Sequence, residues 1–245
     1  RKVSKPEIKI ITIEDPIEYH LPGIVQTQVE SEKGYDFLNG LRAALRQDPD
    51  VIMVGEIRDN ETAQIAINSA QTGHLVFSTL HTNSAAGTFP RLIDLGVNPK
   101  TLTSAVNIAL AQRLVRVLCP SCKKQAPLDP ENAALVAKTL AAIADPSYRD
   151  ALTKESVDAT KQWLPVGCDK CNLTGYKGRI GIYEAILRSE AIEQAVIGNP
   201  SEREIKKAAL AQGILDMRQD GVLKMLRGVT SLDELSRVID LFDEF

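Results

Sequence analysis

No run in this chain of 245 residues reaches the 18 or more apolar residues of a membrane span. The start, Arg1-Lys2, is neither a secretory signal nor an obvious native N-terminus, so the chain is expected to begin in the middle of something longer. An excess of one charge is also missing. The formal net charge is -3, which gives no blanket electrostatic reason to coat nucleic acid and leaves only a local basic patch open. Cysteine is scarce: there are 4, all in two CxxC pairs, which in an otherwise cytosolic-looking chain favours a metal over disulfides. What is present is ordinary globular composition, 44% hydrophobic and 25% charged, at a length that predicts one main domain with one or two smaller modules.

The chain is organised around Asp48-Pro49-Asp50-Val51-Ile52-Met53-Val54-Gly55-Glu56-Ile57-Arg58-Asp59. The unbroken apolar run 51–54 predicts a strand of a parallel sheet covered on both faces. Glu56 then follows just beyond the strand's C-terminal edge, where open α/β sheets hold ligands. Residues 8–13 form a second β-branched run that empties into Glu14-Asp15-Pro16-Ile17-Glu18-Tyr19-His20. Two strands that end in carboxylates can place a metal ion or polarise a water beside a polyanion. In that chemistry Glu14 and Asp15 hold a Mg²⁺ shell while Glu18, presented by the turn that Pro16 stiffens, takes a proton from water. Acidic residues beside proline are equally ordinary turn formers.

A third strand, 75–77, runs into Ser78-Thr79-Leu80-His81-Thr82, with His74 and His81 at its two ends. A strand of that length separates two imidazoles too far for both to touch one small ligand. His81 lies on the carboxylate side; His74, at the helix-to-strand turn, is placed to bridge to a neighbouring subunit or to serve structure. Helices are expected from 35 to before Asp48, with Arg42 and Arg46 sharing a face, and over 61–72, ended by Gly73. Pro90 predicts a kink or a late start in a helix over 85–95, beside Arg91. A long amphipathic helix is expected after Asn98-Pro99, with Leu102, Val106, Ala109, Leu110 and Leu114 inward and Gln112-Arg113 on the other side of its end.

Cys119-Pro120-Ser121-Cys122 and Cys168-Asp169-Lys170-Cys171 form two knuckles around an insert, 123–167. Together they complete the S₄ set that Zn²⁺ prefers, a closed structural site with no open coordination position. Within the insert, small helices are expected over 133–144 and 154–164. The stretch 172–184 has glycines at turn positions and then alternates as a strand. The last 60 residues read as capped helices beginning near Ser201, Asp216 and Ser231, the last with Leu235, Val238, Ile239 and Phe242 inward. Met217 and Met225 read as core filler.

Taken together these motifs resemble the C-terminal portion of the secretion superfamily of traffic ATPases, the motors of type II secretion and type IV pilus assembly with related competence and retraction motors. The family's Asp box is matched by Thr12-Ile13-Glu14-Asp15-Pro16-Ile17-Glu18, its Walker B by 50–59 and its His box by Thr72-Gly73-His74-Leu75 through Ser78-Thr79-Leu80-His81-Thr82. Gln112-Arg113-Leu114, the CxxC pairs and Gly178-Arg179-Ile180-Gly181-Ile182-Tyr183-Glu184 resemble the assembly and secretion branch, and the four cysteines disfavour the retraction motors.

The resemblance implies a RecA-like P-loop core, three-layered with a mostly parallel sheet, over 1–118; a tetracysteine zinc module, 119–183; and a helical module, 184–245. It implies ATP hydrolysis with Mg²⁺, with Glu18 as general base, Glu56 organising Mg²⁺ or its waters, Glu14 and Asp15 in support and His81 at the γ-phosphate. Arg42, Arg46, Arg58 and Arg113 are candidates for interface or charge-neutralising roles, with His74 beside them on the nucleotide-binding side. It further implies a homo-hexamer on the cytoplasmic face of the inner membrane, acting on a platform protein and membrane-associated assembly proteins to add pilin subunits, with no nucleic acid.

No GxxxxGK[ST] occurs in the 245 residues. The expectation is therefore a fragment, numbered from after that motif and inactive alone. Two rival readings are a zinc-organised adaptor without ATPase activity and a nucleic-acid motor with the same core.

Overall fold

The β-branched run near the start becomes strand β1 (Ile10–Glu14) in the computed structural model, which describes residues 5–241. Strand β2 (Val25–Gln28) lies parallel beside it, and helix α1 (Phe37–Leu45), capped by Asp36 at the Asn39 amide, leads to β3 (Val51–Val54). Helix α2 (Asn60–Gln71) is capped by Asp59 and turned out by Gly73 at φ 106°. Strand β4 (Leu75–Ser78) then completes a parallel sheet of order β2-β1-β3-β4. The crossovers β2-α1-β3 and β3-α2-β4 advance in the same direction across the sheet, and α1 packs against α2. Ile11, Ile13, Ile52 and Val54 form the fully buried face of this sheet. The close fit against α1 explains Gly40, where a Cβ would stand 2.8 Å from Ile13 Cγ2. Coverage of the opposite face is partial: Met53 is half-buried and Leu75 and Phe77 are exposed.

Helix α3 (Thr88–Asp94) shows what Pro90 does. The helix starts late, at Thr88, so proline falls in the first turn, where it has no intrahelical N–H bond to break. Helix α4 (Pro99–Ala105) is capped by Asn98 and is short. The long amphipathic helix expected after Asn98-Pro99 does not form. Val106 turns extended, and β5 (Ile108–Leu118) runs on as a strand in which Ala109 and Val115 are buried while Ile108, Leu110 and Leu114 are exposed. The period is two, set by antiparallel pairing with a distant strand.

Strand β6 (Lys124–Pro127), helix α5 (Pro130–Ala141), helix α6 (Ser147–Lys154) and strand β7 (Lys161–Leu164) make up the insert. The helix expected over 154–164 is a correction. Helix α6 ends at Lys154, Ser156 takes a positive φ, Asp158 turns the chain by accepting from Thr160, and β7 pairs antiparallel with β6. Strand β8 (Tyr176–Leu187) pairs with β5 along its length.

Helices α7 (Glu190–Gly198), α8 (Glu202–Ala209), α9 (Met217–Leu226) and α10 (Leu232–Val238) follow. Asp216 and Gln219 form a reciprocal capping box on α9, and Ser231 caps α10 at the Glu234 amide. Phe242 lies outside the described residues.

Two compact units result. One is 1–107 with 188–205; the other is 108–187 with 206–245. In the second, Val115 and Ile182 of the ribbon, Leu135 and Val136 of α5, and Met217, Val222, Met225 and Leu235 of the last helices share one core. Met217 and Met225 are core filler there.

Candidate functional site

Parallel pairing carries the C-terminal ends of β1, β3 and β4 to one edge of the sheet. Ile13 pairs with Val54, and Val54 with Ser78, so Glu14, Gly55 and Thr79 are the next residues out on adjacent strands. The edge is held by main-chain bonds beyond the ladder: the Gly55 amide donates to Ile13 at 2.8 Å, the Ile57 amide donates to Thr79 at 3.0 Å, and Thr79 Oγ1 donates to the Gly55 carbonyl at 2.7 Å. Gly55 leaves little room for a side chain. A Cβ there would sit 3.0 Å from the Phe37 ring and 3.1 Å from the Ile13 carbonyl oxygen, so glycine lets β3 deliver Glu56 hard against β1.

Glu56 is largely buried and meets two cationic or proton-bearing partners. Arg58 forms an ion pair with Oε1, and His81 Nε2 lies 2.8 Å from Oε2. The Arg58 guanidinium is the main reason that the Glu56 carboxyl is held below its ordinary range; burial opposes the shift and His81 adds to it. Arg58 in turn feels Asp15. Ionised carboxylate, guanidinium and imidazole thus stand together at the edge where β1 ends in Glu14 and Asp15.

Glu14 is oriented from β1 itself and from β2. Thr12 Oγ1 donates to Glu14 Oε1 at 2.6 Å and Gln26 Nε2 donates to the same oxygen at 2.8 Å. Thr12, Glu14, Gln26 and Gln28 share one sheet face, because Thr12 pairs with Gln26 and Glu14 with Gln28. Glu18 is exposed in the β1-β2 connection, next to the exposed Tyr19 and His20.

The other named residues lie elsewhere. His74 is at the opposite end of β4, its Nδ1 3.0 Å from the Ser69 carbonyl and 3.3 Å from Thr72 Oγ1, the contacts of a helix-to-strand turn. Arg42 lies in the last turn of α1 and Arg46 at its C-cap. Arg42 pairs with Glu61 at 3.5 Å. Arg113 is on β5 in the second unit. The residues that the sequence reading passed over are Gln26 and Gln28. Their signal was there, two amides at a spacing of two on a short strand, but only the register with β1 gives it meaning.

In the second unit the four cysteines converge. Their Sγ atoms all lie within 4.8 Å of one another, with Cys119–Cys168 at 3.9 Å, Cys122–Cys171 at 3.8 Å and Cys168–Cys171 at 3.7 Å. Sulfurs at about 2.3 Å from a tetrahedral zinc are about 3.8 Å apart, so the donor set fits that ion. The Cys168 and Gly175 amides donate to Cys171 Sγ at 3.2 and 3.3 Å. Burial raises the Cys171 thiol, but those amides together with the Cys168 and Cys122 thiols outweigh it and bring it to about 7, while burial pushes the neighbouring Cys168 thiol up to about 11. A bond from the Cys119 amide to the Gly175 carbonyl, 2.8 Å, ties one knuckle to the other.

This architecture has counterparts. A family model described as "Type II/IV secretion system protein" matches residues 1–237. The chain is 46% identical over 236 residues to a type IV pilus assembly ATPase, PilB, of Pseudomonas aeruginosa, covering 96% of this chain and 39% of that protein. It is 44% identical over 237 residues to type II secretion system protein E of Aeromonas hydrophila, covering 97% of this chain and 44% of that one. The chain thus spans less than half the length of either relative. Among solved structures, the pilus retraction motor PilT with bound ADP superposes with a TM-score of 0.61 at 26% identity, covering 94% of this chain and 52% of that one. A parallel sheet with acidic strand ends, a tetracysteine cluster, a helical C-terminal part and a family match over 1–237 agree on one assignment: the chain belongs to the type II/IV secretion system protein family, with a RecA-like α/β core.

Proposed function

We propose that this chain carries the acidic side of an ATP-hydrolysing site in a motor that assembles type IV pili or type II secretion pseudopili. The observation that supports the reading best is the single edge to which β1, β3 and β4 bring Glu14, Asp15, Glu56 and His81, with Glu18 in the adjoining connection. The 245 residues hold no GxxxxGK[ST], so the phosphate cradle is not among the residues that the reading names.

In this reading water attacks the γ-phosphorus in line, the bond to the ADP oxygen breaks, and Glu18 takes the proton that the water loses. Glu18 suits the role because it is exposed in the connection that leaves the carboxylate end of β1. Glu56, kept ionised by Arg58, holds His81 in place and, with Glu14 and Asp15, would hold Mg²⁺, which supplies neutralising charge to the phosphates when bound. Asp15 and Arg58 complete the nucleotide side, and Arg42, Arg46, Arg113 and His74 are assigned to subunit contacts of a hexamer. The four cysteines hold Zn²⁺ as a structural ion. The protein works on the cytoplasmic side of the inner membrane, against a platform protein and membrane-associated assembly proteins; among the described residues no helix is long and apolar enough to cross a membrane.

The test is E18Q in the full-length protein. Turnover falls on the order of 10³-fold while ATP still binds. Near-normal turnover in E18Q removes Glu18 from the chemistry.

A further inference from the structure

The β1-β2 connection is the crossover of a parallel pair, yet residues 15–24 contain no helix. It must run from the C-terminal end of β1 back to the level of Ile11, which pairs with Val25, the first residue of β2. A loop on such a path has few ladder bonds to fix it, and here side chains of β2 take that role. Gln26 Oε1 accepts from the Leu21 amide at 2.7 Å, while its Nε2 donates to the Tyr19 carbonyl at 3.0 Å and to Glu14 Oε1 at 2.8 Å. Both hydrogens of the carboxamide and one lone pair of its oxygen are used, and only this orientation of the amide matches a donor at Leu21 with acceptors at Tyr19 and Glu14. Gln28 Oε1 accepts from the Ile17 amide at 3.3 Å. Glu18 therefore lies between two residues whose backbones are tied to β2.

We infer that Gln26 is a positioning residue, a single carboxamide that locks the Glu14 carboxylate and the Glu18-bearing loop into one geometry, with Gln28 holding the loop from its other side. The inference rests on the proposed role of Glu18 and adds to it a device for placing that residue. The Glu14 carboxylate and the backbone that carries Glu18 are thus referred to the same strand before nucleotide arrives, and a general base displaced by about 1 Å costs on the order of 10²-fold in rate. A carboxylate cannot replace the amide: it has the same shape but no hydrogens to donate, and it sets a second negative charge beside Glu14.

The experiment compares wild type, Q26E and Q26L in the full-length protein by steady-state ATP hydrolysis, and in the 245-residue chain by amide hydrogen exchange. In both variants kcat falls on the order of 10²-fold, by more than any rise in KM for ATP that the released Glu14, a Mg²⁺ holder in the proposed reading, brings. In Q26L, which offers the Leu21 amide no acceptor, exchange at Leu21 quickens roughly fivefold or more, the loss of one hydrogen bond, while Val29, whose amide donates to the Glu14 carbonyl at 2.8 Å, keeps its protection. Normal kcat in Q26E or Q26L overturns the proposal, as does unchanged exchange at Leu21 in Q26L. Equal loss of protection at Leu21 and Val29 also overturns it, since that marks general destabilisation. If the wild-type protein fails to hydrolyse ATP, the hydrolysis reading falls, and exchange at Leu21 still decides whether Gln26 holds the loop.

Discussion

Glu56 is the residue on which several physical effects meet. It follows a glycine where a side chain would be tight, it is largely buried, and Arg58 holds its carboxyl below the ordinary range. Removing that guanidinium in R58A is expected to let the Glu56 pKa rise toward its ordinary 4.5, followed by carboxyl-carbon NMR of the titrating chain. A Glu56 titration that does not move means that Arg58 is not what keeps it charged. The sequence showed Glu56, Glu14 and Asp15 because they follow apolar runs and stand beside a Gly or a Pro, a local pattern. It did not show Gln26 or the contact of His81 with Glu56, since both depend on which strands pair and in what register, which no local pattern fixes.

At the scale of elements, local patterns read correctly where one periodicity was possible. The runs that became β1, β3 and β4 are too short and too β-branched to be helices. The segment after Asn98 was ambiguous: Leu102, Val106, Leu110 and Leu114 recur every four residues, and Ala109, Ala111, Arg113 and Val115 alternate. Pairing with β8 decides for the alternation, because it satisfies the backbone of β5 and buries Val115 against Ile182 and the last helices. The two knuckles needed no such partner information, since spacing alone names the donor set. Their test is metal content. C119S and C168S each remove one thiolate of the set, and each is expected to lose zinc on dialysis and to melt lower than the unaltered chain. Full zinc retention by both variants, measured by elemental analysis, contradicts a four-sulfur site.

In the molecule as a whole, the second unit is tied together by a buried charge. Glu234 on α10 is fully buried. Its oxygens accept from the Arg116 amide and guanidinium on β5 and from Arg237, and Arg116 lies 4.1 Å over the Tyr176 ring of β8. Burial raises the Glu234 carboxyl, but Arg237 and Arg116 outweigh it and bring it down to about 2, from an ordinary 4.5. A depressed carboxylate pKa contributes stability that is present above the unfolded value and lost as pH falls through the folded one. The contribution is therefore full above about pH 4.5 and gone near pH 2. E234A is expected to destabilise this unit by roughly 2 kcal/mol at neutral pH, a modest figure because both guanidiniums can still reach water. It should also flatten the acid-side fall of stability across that window. Equal acid sensitivity of E234A and the unaltered chain in denaturant titrations would assign the fall to other groups.

The central claim is that the carboxylate edge of the first unit serves phosphoryl chemistry, and the most direct measurement is release of phosphate from ATP by the full-length protein with Mg²⁺ and with the metal chelated. The account predicts hydrolysis that needs the metal. A folded full-length protein that releases no phosphate under either condition, or releases it equally under both, contradicts the account.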